Sequence, residues 1–342
     1  MDKNFGINEM KGSFRKRIKL YLKRAQEIES YLIQKPKEWG RFQSEFNEKV
    51  DEIFRDIMNF EKVNFAAGNE GKVYKLKQMF ISRFRALFVR GDYGTWSFRK
   101  PYGYAGDFKI IDDIYQNYPV TLGFNRLFDN YFQMSAISVG VRNRKNNFKR
   151  IITNFIKKRG NSTIRIMDLA SGPCRDIKEI LSDNTVYSKK VIFDCYDHDK
   201  HAIKYAKKLL KGHTNVNFIQ ENAVRIALKK DIYKMIDKKY DFIFSTGLFD
   251  YCSERISIGI INNLKKLLNP KGILAISDVR DKYSNPSVHF MEWAGDWNLV
   301  YRDDDSFRKI FINAGFKEDE MDIQYEQQGI MQYIIACNKR EK

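Results

Sequence analysis

The chain lacks several things, and each shortage closes a class of explanation. Four cysteines (Cys174, Cys195, Cys252 and Cys337) and four histidines are spread over 342 residues. Neither set has paired or metal-like spacing. A disulfide framework is not expected and no metal is called for, so the cysteines read as small residues of a reduced, cytoplasmic protein. No apolar run approaches the ~18 residues needed to cross a bilayer. Met1–Glu9 has no apolar stretch of the kind that marks a signal peptide. No internal repeat and no low-complexity linker interrupts the chain. Acidic residues are outnumbered, 43 against 61 basic ones, which leaves a net charge of +18.

That charge keeps three kinds of partner open, a nucleic acid, the surface of a membrane and an acidic protein. The segment Lys11–Arg24 concentrates it, with seven basic residues and no acidic one. Phe14, Ile18, Leu20 and Leu22 give the same segment an amphipathic character that suits peripheral membrane contact. A solvated helix face in a chain rich in lysine throughout is the plainer reading. Hydrophobic residues at 43% and aromatics at 14% are ample for buried cores, and the length admits two domains.

The most informative stretch is Ile164–Asp176. An apolar, β-branched run ends in Asp168. A turn of small residues follows (Ala170, Ser171, Gly172, Pro173), and Ile177–Leu181 reads as a helix. Small residues let the backbone approach a ligand closely, and the helix start offers unpaired N–H groups to a polar one. This is how a nucleotide-cradling α/β unit begins. Val191–Tyr196 reads as a second strand, closed by Asp197-His-Asp199 and followed by a helix over Lys200–Leu210. Asp197 stands where an acid meets ribose hydroxyls, since two carboxylate oxygens can accept from both. Helix capping is the rival role there, and Asp199 fills it equally well. A third strand, Val216–Ile219, runs into Gln220-Glu221-Asn222-Ala223, where an amide can read an adenine edge. The fourth, Tyr240–Ser245, opens into Thr246–Tyr251. The fifth, Gly272–Ser277, follows a helix over Ile258–Leu268. Two last strands, Asp322–Tyr325 and Met331–Ala336, are joined by a link too short for a parallel crossover, so they must be antiparallel.

Strand, small-residue turn, acid-ended second strand, Asn222 after the third, and a closing hairpin together resemble the class I S-adenosylmethionine (SAM)-dependent methyltransferases, over residues 161–340. The resemblance implies a Rossmann-like seven-stranded α/β sheet with a C-terminal antiparallel hairpin, and SAM as cofactor. It places SAM on Asp168, Ala170, Ser171, Gly172, Cys174 and Asp176, with Asp197 and His198, Asn222 and Ala223, and Ser245 completing the cradle. Ala170 and Cys174 replace the outer glycines of the usual Gly-x-Gly-x-Gly. Three further motifs occur in order: Lys100-Pro-Tyr-Gly-Tyr-Ala-Gly-Asp107, Gly247-Leu-Phe-Asp-Tyr251 and Asp296-Trp-Asn-Leu-Val-Tyr-Arg302. Their combination is similar to bacterial methyltransferases that make 3-hydroxy fatty acid methyl esters as quorum-sensing signals. That family implies O-methylation of a hydrophobic carboxylic acid. Tyr102, Tyr104 and Arg142 are then candidates for the methionine carboxylate, and Asp107 for its ammonium.

Residues 1–150 read mainly as helices, over Phe42–Phe60, Val73–Val89, Phe108–Tyr115 and Leu127–Val141. Two glycine- and tyrosine-rich loops, Gly91–Gly94 and Pro101–Gly106, separate them. The division expected is a helical lid or substrate domain over 1–150 and a SAM-binding domain over 151–342. A carboxylate acceptor is already ionised and needs no base, whereas an amine or hydroxyl wants one. Asp250, His289, Glu292 and Tyr251 are the candidate bases, and Asp250, Tyr251, His289 and Arg302 are the catalytic candidates. Asp250 can equally cap a helix and His289 can equally belong to a core. Arg302 can anchor a substrate carboxylate or pair with Asp303–Asp305, and Trp293, Trp297 and Tyr301 can line an acyl pocket or simply pack. A tailoring methyltransferase for a natural product or peptide, an RNA methyltransferase, and a SAM-binding protein with a degenerate site are the alternatives. The fourth strand does not end in the Asn/Asp-Pro-Pro-aromatic of base-modifying enzymes. Oligomeric state is not legible.

Overall fold

The computed structural model describes residues 7–159, 162–183, 186 and 190–339. Most of Met1–Glu9, read above for a signal peptide, lies outside the described residues, and so does the end of the hairpin's flank at 340–342. The chain divides into two compact units. One comprises Met1–Gly106, Gln116–Val139 and Lys282–Asn298, and the other Asp107–Tyr115, Gly140–Asp281 and Leu299–Lys342.

The first unit is helical. Its opening helix, Ile7–Gln34, buries Phe14, Ile18, Tyr21, Ala25, Ile28 and Leu32, a stripe spaced alternately four and three residues as one helix face requires. The stripe meets Phe46 and Phe88 through Tyr21, and Phe80 and Phe84 through Phe14. The helix Pro286–Trp293 joins this core, with Phe290 packed edge-on against Phe54 at 5.3 Å and Tyr131 at 4.9 Å. Burying each of these rings contributes about 1.5–3 kcal/mol. The apolar side of the basic segment is thus inside. Leu20, 61% exposed, remains outside among lysines.

Two local expectations fail here. Gly91–Gly94 is not a loop but the first turn of a helix, Gly91–Arg99. Gly91 has φ +76°, and a Cβ there would stand 2.9 Å from Asp129 Cγ. Asp129 Oδ1 accepts from the Tyr93 N–H at 3.0 Å and Oδ2 from Thr121, so a carboxylate from elsewhere in the chain caps this helix start. Gly91→Ala should therefore lose about 2–4 kcal/mol, combining left-handed strain with displacement of a buried acceptor. A urea melt at constant m would read this, and an unchanged midpoint would refute it. The helix over Leu127–Val141 is likewise broken, into Gly123–Met134 and Ala136–Lys158. Ser135 is extended (ψ 146°) and its Oγ accepts from the Ser138 N–H, which starts the second helix.

The second unit carries a seven-stranded sheet in the order β3-β2-β1-β4-β5-β7-β6. The strands are β1 Ile164–Leu169, β2 Val191–Asp197, β3 Val216–Gln220, β4 Tyr240–Ser245, β5 Leu268–Val279, β6 Met321–Tyr325 and β7 Met331–Cys337. All neighbours are parallel except β7, which runs antiparallel to both β5 and β6. β1 and β4 are buried almost throughout, as parallel strands covered on both faces must be. The hairpin turn is organised by Glu326, whose carboxylate accepts from the N–H groups of Gln328 and Ile330. Sequence order reverses between β1 and β4, so the crevice beyond their carboxyl ends is where such a sheet receives a ligand.

Candidate functional site

The crevice is built by backbone ties between strand ends. Ser245, at the end of β4, donates its Oγ hydrogen to Leu169 O at 2.7 Å. The Ser171 N–H donates to Tyr196 O, and the Gly172 N–H donates to Asp197 Oδ2 at 2.8 Å. Asp197 Oδ1 accepts from the Asp199 N–H at 2.8 Å. Asp199 is the residue that caps the helix Lys200–Leu209, accepting from the His201 N–H, so Asp197 keeps its second lone pairs for other donors. Exposed His198 lies beside it, Nδ1 to Oδ1 3.5 Å. Asn222 caps the short helix Ala223–Leu228 through its Oδ1.

Ala170, Gly172 and Cys174 all have positive φ, at 58°, 53° and 53°. The turn thus makes the backbone demand of three alternating glycines although two are replaced, and small residues bear the strain. A Cβ built on Gly172 would meet nothing within 4 Å, so the turn faces open space.

Close to it lie three buried acidic side chains. Asp168 is 2% exposed, and its Oδ2 has no hydrogen-bond partner. Burial, reinforced by Asp176, Cys174 and Asp197, pushes its pKa well above the carboxylate range. Burial raises Asp176 to about 6 despite a hydrogen bond from the Ile177 N–H. Burial raises Asp197 as well. Three buried acids with an orphaned oxygen fit a ligand that brings positive charge and hydrogen-bond donors.

Around this centre the remaining candidates separate. Asp107 caps the helix Phe108–Gln116, its Oδ1 accepting from the Lys109 and Ile110 N–H groups. That helix is fixed to the motif helix Arg175–Leu181 by Arg175, which grips both oxygens of Asp112. Arg142 donates to Ile114 O at 3.4 Å. Tyr102 and Tyr104 belong to the helical unit, Tyr102 with its ring 6.3 Å from Trp96.

Asp250 is buried and engaged at both oxygens, by the Val279 N–H at 3.0 Å and Arg144 Nη1 at 3.2 Å. Tyr251 beside it is 45% exposed. Arg302 does not use Asp303–Asp305. It donates to both oxygens of Asp278 at 2.9 and 3.0 Å and to Phe249 O and Cys252 O. Its donors thereby clamp the 249–252 turn to β5. Arg144 escaped notice in the sequence. It stands one helical turn beyond Gly140, over Gly247, whose Cβ would come 3.0 Å from Nη2; only its spacing from Gly140 and Phe148 on one helix face hinted at this.

His289, Trp293 and Trp297 belong to the helical unit. His289 is fully buried with Nε2 3.5 Å from Glu61 Oε1. Glu61 also takes Lys282 Nζ at 2.6 Å and the Trp293 indole N–H at 3.3 Å; these charges hold its pKa down near 2 against burial. The same unit contains a narrow apolar cleft, lined among others by Phe88, Phe132, Phe290, Met291 and Trp297.

Among the described residues no helix is long and apolar enough to cross a membrane. A family model described as a methyltransferase domain matches residues 160–332, half of the chain. No curated protein matches the chain in sequence. Among solved structures, a possible exported protein from Bordetella parapertussis shares 16% identity with a TM-score of 0.55, over 68% of this chain and 80% of its own. The carbon-methyltransferase (CMeT) domain of the citrinin polyketide synthase shares 16% identity at TM-score 0.49, over 73% of this chain, which spans 60% of that domain's length. Magnesium protoporphyrin IX methyltransferase from Synechocystis PCC 6803, solved with bound SAM, shares 14% identity at TM-score 0.41, over 61% of this chain and 84% of its own. At these identities the likeness is one of fold.

Proposed function

The chain belongs to the methyltransferase-domain family, and we propose that this SAM-dependent methyltransferase methylates an oxygen of a small hydrophobic acid, with a 3-hydroxy fatty acid as the leading acceptor. The observation that carries the cofactor's place is the orphaned, buried Asp168 Oδ2 beneath the open space over Gly172. In this reading Asp168 and Asp176 face the cofactor's positive charge, Asp197 accepts from its ribose, and the small residues of the 170–174 turn let its polar end approach the backbone closely. SAM supplies a methyl group already made electrophilic by its sulfonium. What is left to the chain is to bind, orient and exclude water.

The acceptor assignment draws on two features. Asp250, the acid that follows β4, has both oxygens committed to Arg144 and Val279, which suits an acceptor that arrives ionised. The second is the resemblance of the 100–107, 247–251 and 296–302 motifs to those of 3-hydroxy fatty acid methyltransferases. We assign the helical unit the acceptor's apolar part, and the free cysteines suit a reduced, cytoplasmic location.

The test is calorimetric titration with SAM and with its demethylated product, then mass spectrometry after incubation with 3-hydroxy acids of graded length. Micromolar binding and the mass of one added methylene on the acid support the reading. Methyl gain on an amine or on RNA instead would replace the acceptor, and binding without turnover on any of them would leave a cofactor-binding protein.

A further inference from the structure

Asp168, Cys174 and Cys195 are distant in sequence and adjacent in space. Asp168 and Cys195 are register partners on β1 and β2, so their side chains leave the sheet on the same face. Cys174 begins the helix over that face, in the left-handed conformation described above. One Asp168 oxygen and the two sulfurs lie within 4.8 Å of one another. Both thiols are fully buried, Asp168 is 2% exposed, and among the described residues no donor reaches its Oδ2. A buried acceptor left in that state bears its full desolvation penalty.

Two sulfurs and a carboxylate are donors that zinc and its spectroscopic substitute cobalt accept at ~2.0–2.3 Å. Closing the cluster around such an ion asks the three atoms to draw in by about an ångström. A fourth position stays open to water. The open space over Gly172 offers a way in.

We propose that Asp168, Cys174 and Cys195 bind a thiophilic divalent metal ion, Zn2+ in the first place, and that its binding opposes SAM. The ion takes the place of the protons on the two thiols and on the Asp168 carboxyl, which pass to solvent. It occupies the Asp168 oxygen and ties Cys174 to the two strands, so the turn over residues 170–174 can no longer adapt to the cofactor or offer it that carboxylate. This second half rests on the cofactor reading above.

The experiment uses the full chain stripped with a chelator and titrated with Co2+. A thiolate-to-cobalt charge-transfer band should saturate at one equivalent, be displaced by Zn2+, and be lost in Cys195→Ala. Zn2+ should weaken SAM binding at least about tenfold in the native chain and leave it unaltered in Cys195→Ala, whose thiol lies outside the turn. No band at one equivalent, a band that survives in Cys195→Ala, or a SAM affinity indifferent to Zn2+ overturns the proposal. If Cys195→Ala does not fold, X-ray absorption on the cobalt complex of the native chain decides. Two sulfur neighbours support the site and a shell of nitrogen and oxygen alone refutes it. SAM titrated in chelator is read separately. Failure to bind there counts against the methyltransferase reading, while the cobalt band still judges the metal site.

Discussion

Asp197→Ala should abolish measurable SAM binding, and Asp197→Asn should weaken it by about a hundredfold or more. Alanine removes two functions together. It strips the acceptors offered to ribose, and it releases the Gly172 and Asp199 N–H groups that Asp197 now holds at 2.8 Å each. Asparagine keeps the size and one acceptor oxygen but loses the charge and one of the two backbone ties. Hydrogen bonds to a charged group contribute about 1.5–3 kcal/mol each, which sets the hundredfold scale. Gly172→Val belongs to the same argument, because it combines φ +53° with a branched side chain pushed into the space above the turn. Calorimetry on the three variants, with a melt to confirm folding, is the check. Native affinity in Asp197→Ala would remove Asp197 from the site altogether.

A pH dependence accompanies it. Asp176 has its pKa raised to about 6, and Asp168 and Asp197 are raised too. In the unliganded fold these acids hold protons that an unfolded chain would release, so they cost stability as pH rises from the ordinary carboxylate range through about 6. A positively charged ligand reverses their preference. SAM affinity should therefore fall as pH drops through about 6, where Asp176 takes up its proton. A flat profile between pH 5 and 8 would show that these carboxylates do not face the cofactor's charge.

What could be read from the sequence, and what could not, divides by range. β4 was expected at Tyr240–Ser245 and is found there. β1, β2 and the closing hairpin match within a residue or two, because a buried parallel strand writes its apolar run directly into the chain. The turn at Ala170–Cys174 was legible as small residues, and its three positive φ values explain why small residues stand there. The misses all depend on a distant partner. Gly91–Gly94 looked like a loop because nothing local reveals that Asp129 caps it. Arg302 was read as anchoring a substrate carboxylate or pairing with Asp303–Asp305, whereas β5 presents Asp278 to it. Arg144 went unnoticed because only helix phase, not proximity to a motif, brings it to Asp250. The cysteines looked unrelated for the same reason: strand register, invisible in linear spacing, sets Cys195 beside Asp168.

Asp250 is where the structure most changes the expected outcome of a mutation. Read from sequence, Asp250→Ala should spare SAM binding and reduce turnover alone. In the fold its carboxylate satisfies the Val279 N–H and pairs with Arg144, a guanidinium whose side chain is only 3% exposed and whose Nε already lacks a partner. Removing one member of a buried pair strands the other charge, which typically costs about 3–5 kcal/mol. Asp250→Ala should accordingly be destabilised by that amount, visible as a lower urea midpoint, with any loss of turnover following from displacement of the 249–252 turn. Arg144→Met should cost a similar amount by stranding the carboxylate. The double variant Asp250→Asn with Arg144→Met removes both charges and keeps an acceptor for Val279, so it should recover much of the loss, and with the single variants Asp250→Asn and Arg144→Met it closes a double-mutant cycle with a coupling energy of about 1–3 kcal/mol. If Asp250→Ala instead melts like the native chain while turnover collapses, Asp250 acts on the substrate and the buried pair is incidental. The stability measurement therefore has to precede any kinetic one, because turnover alone cannot separate a misplaced turn from a missing catalytic group.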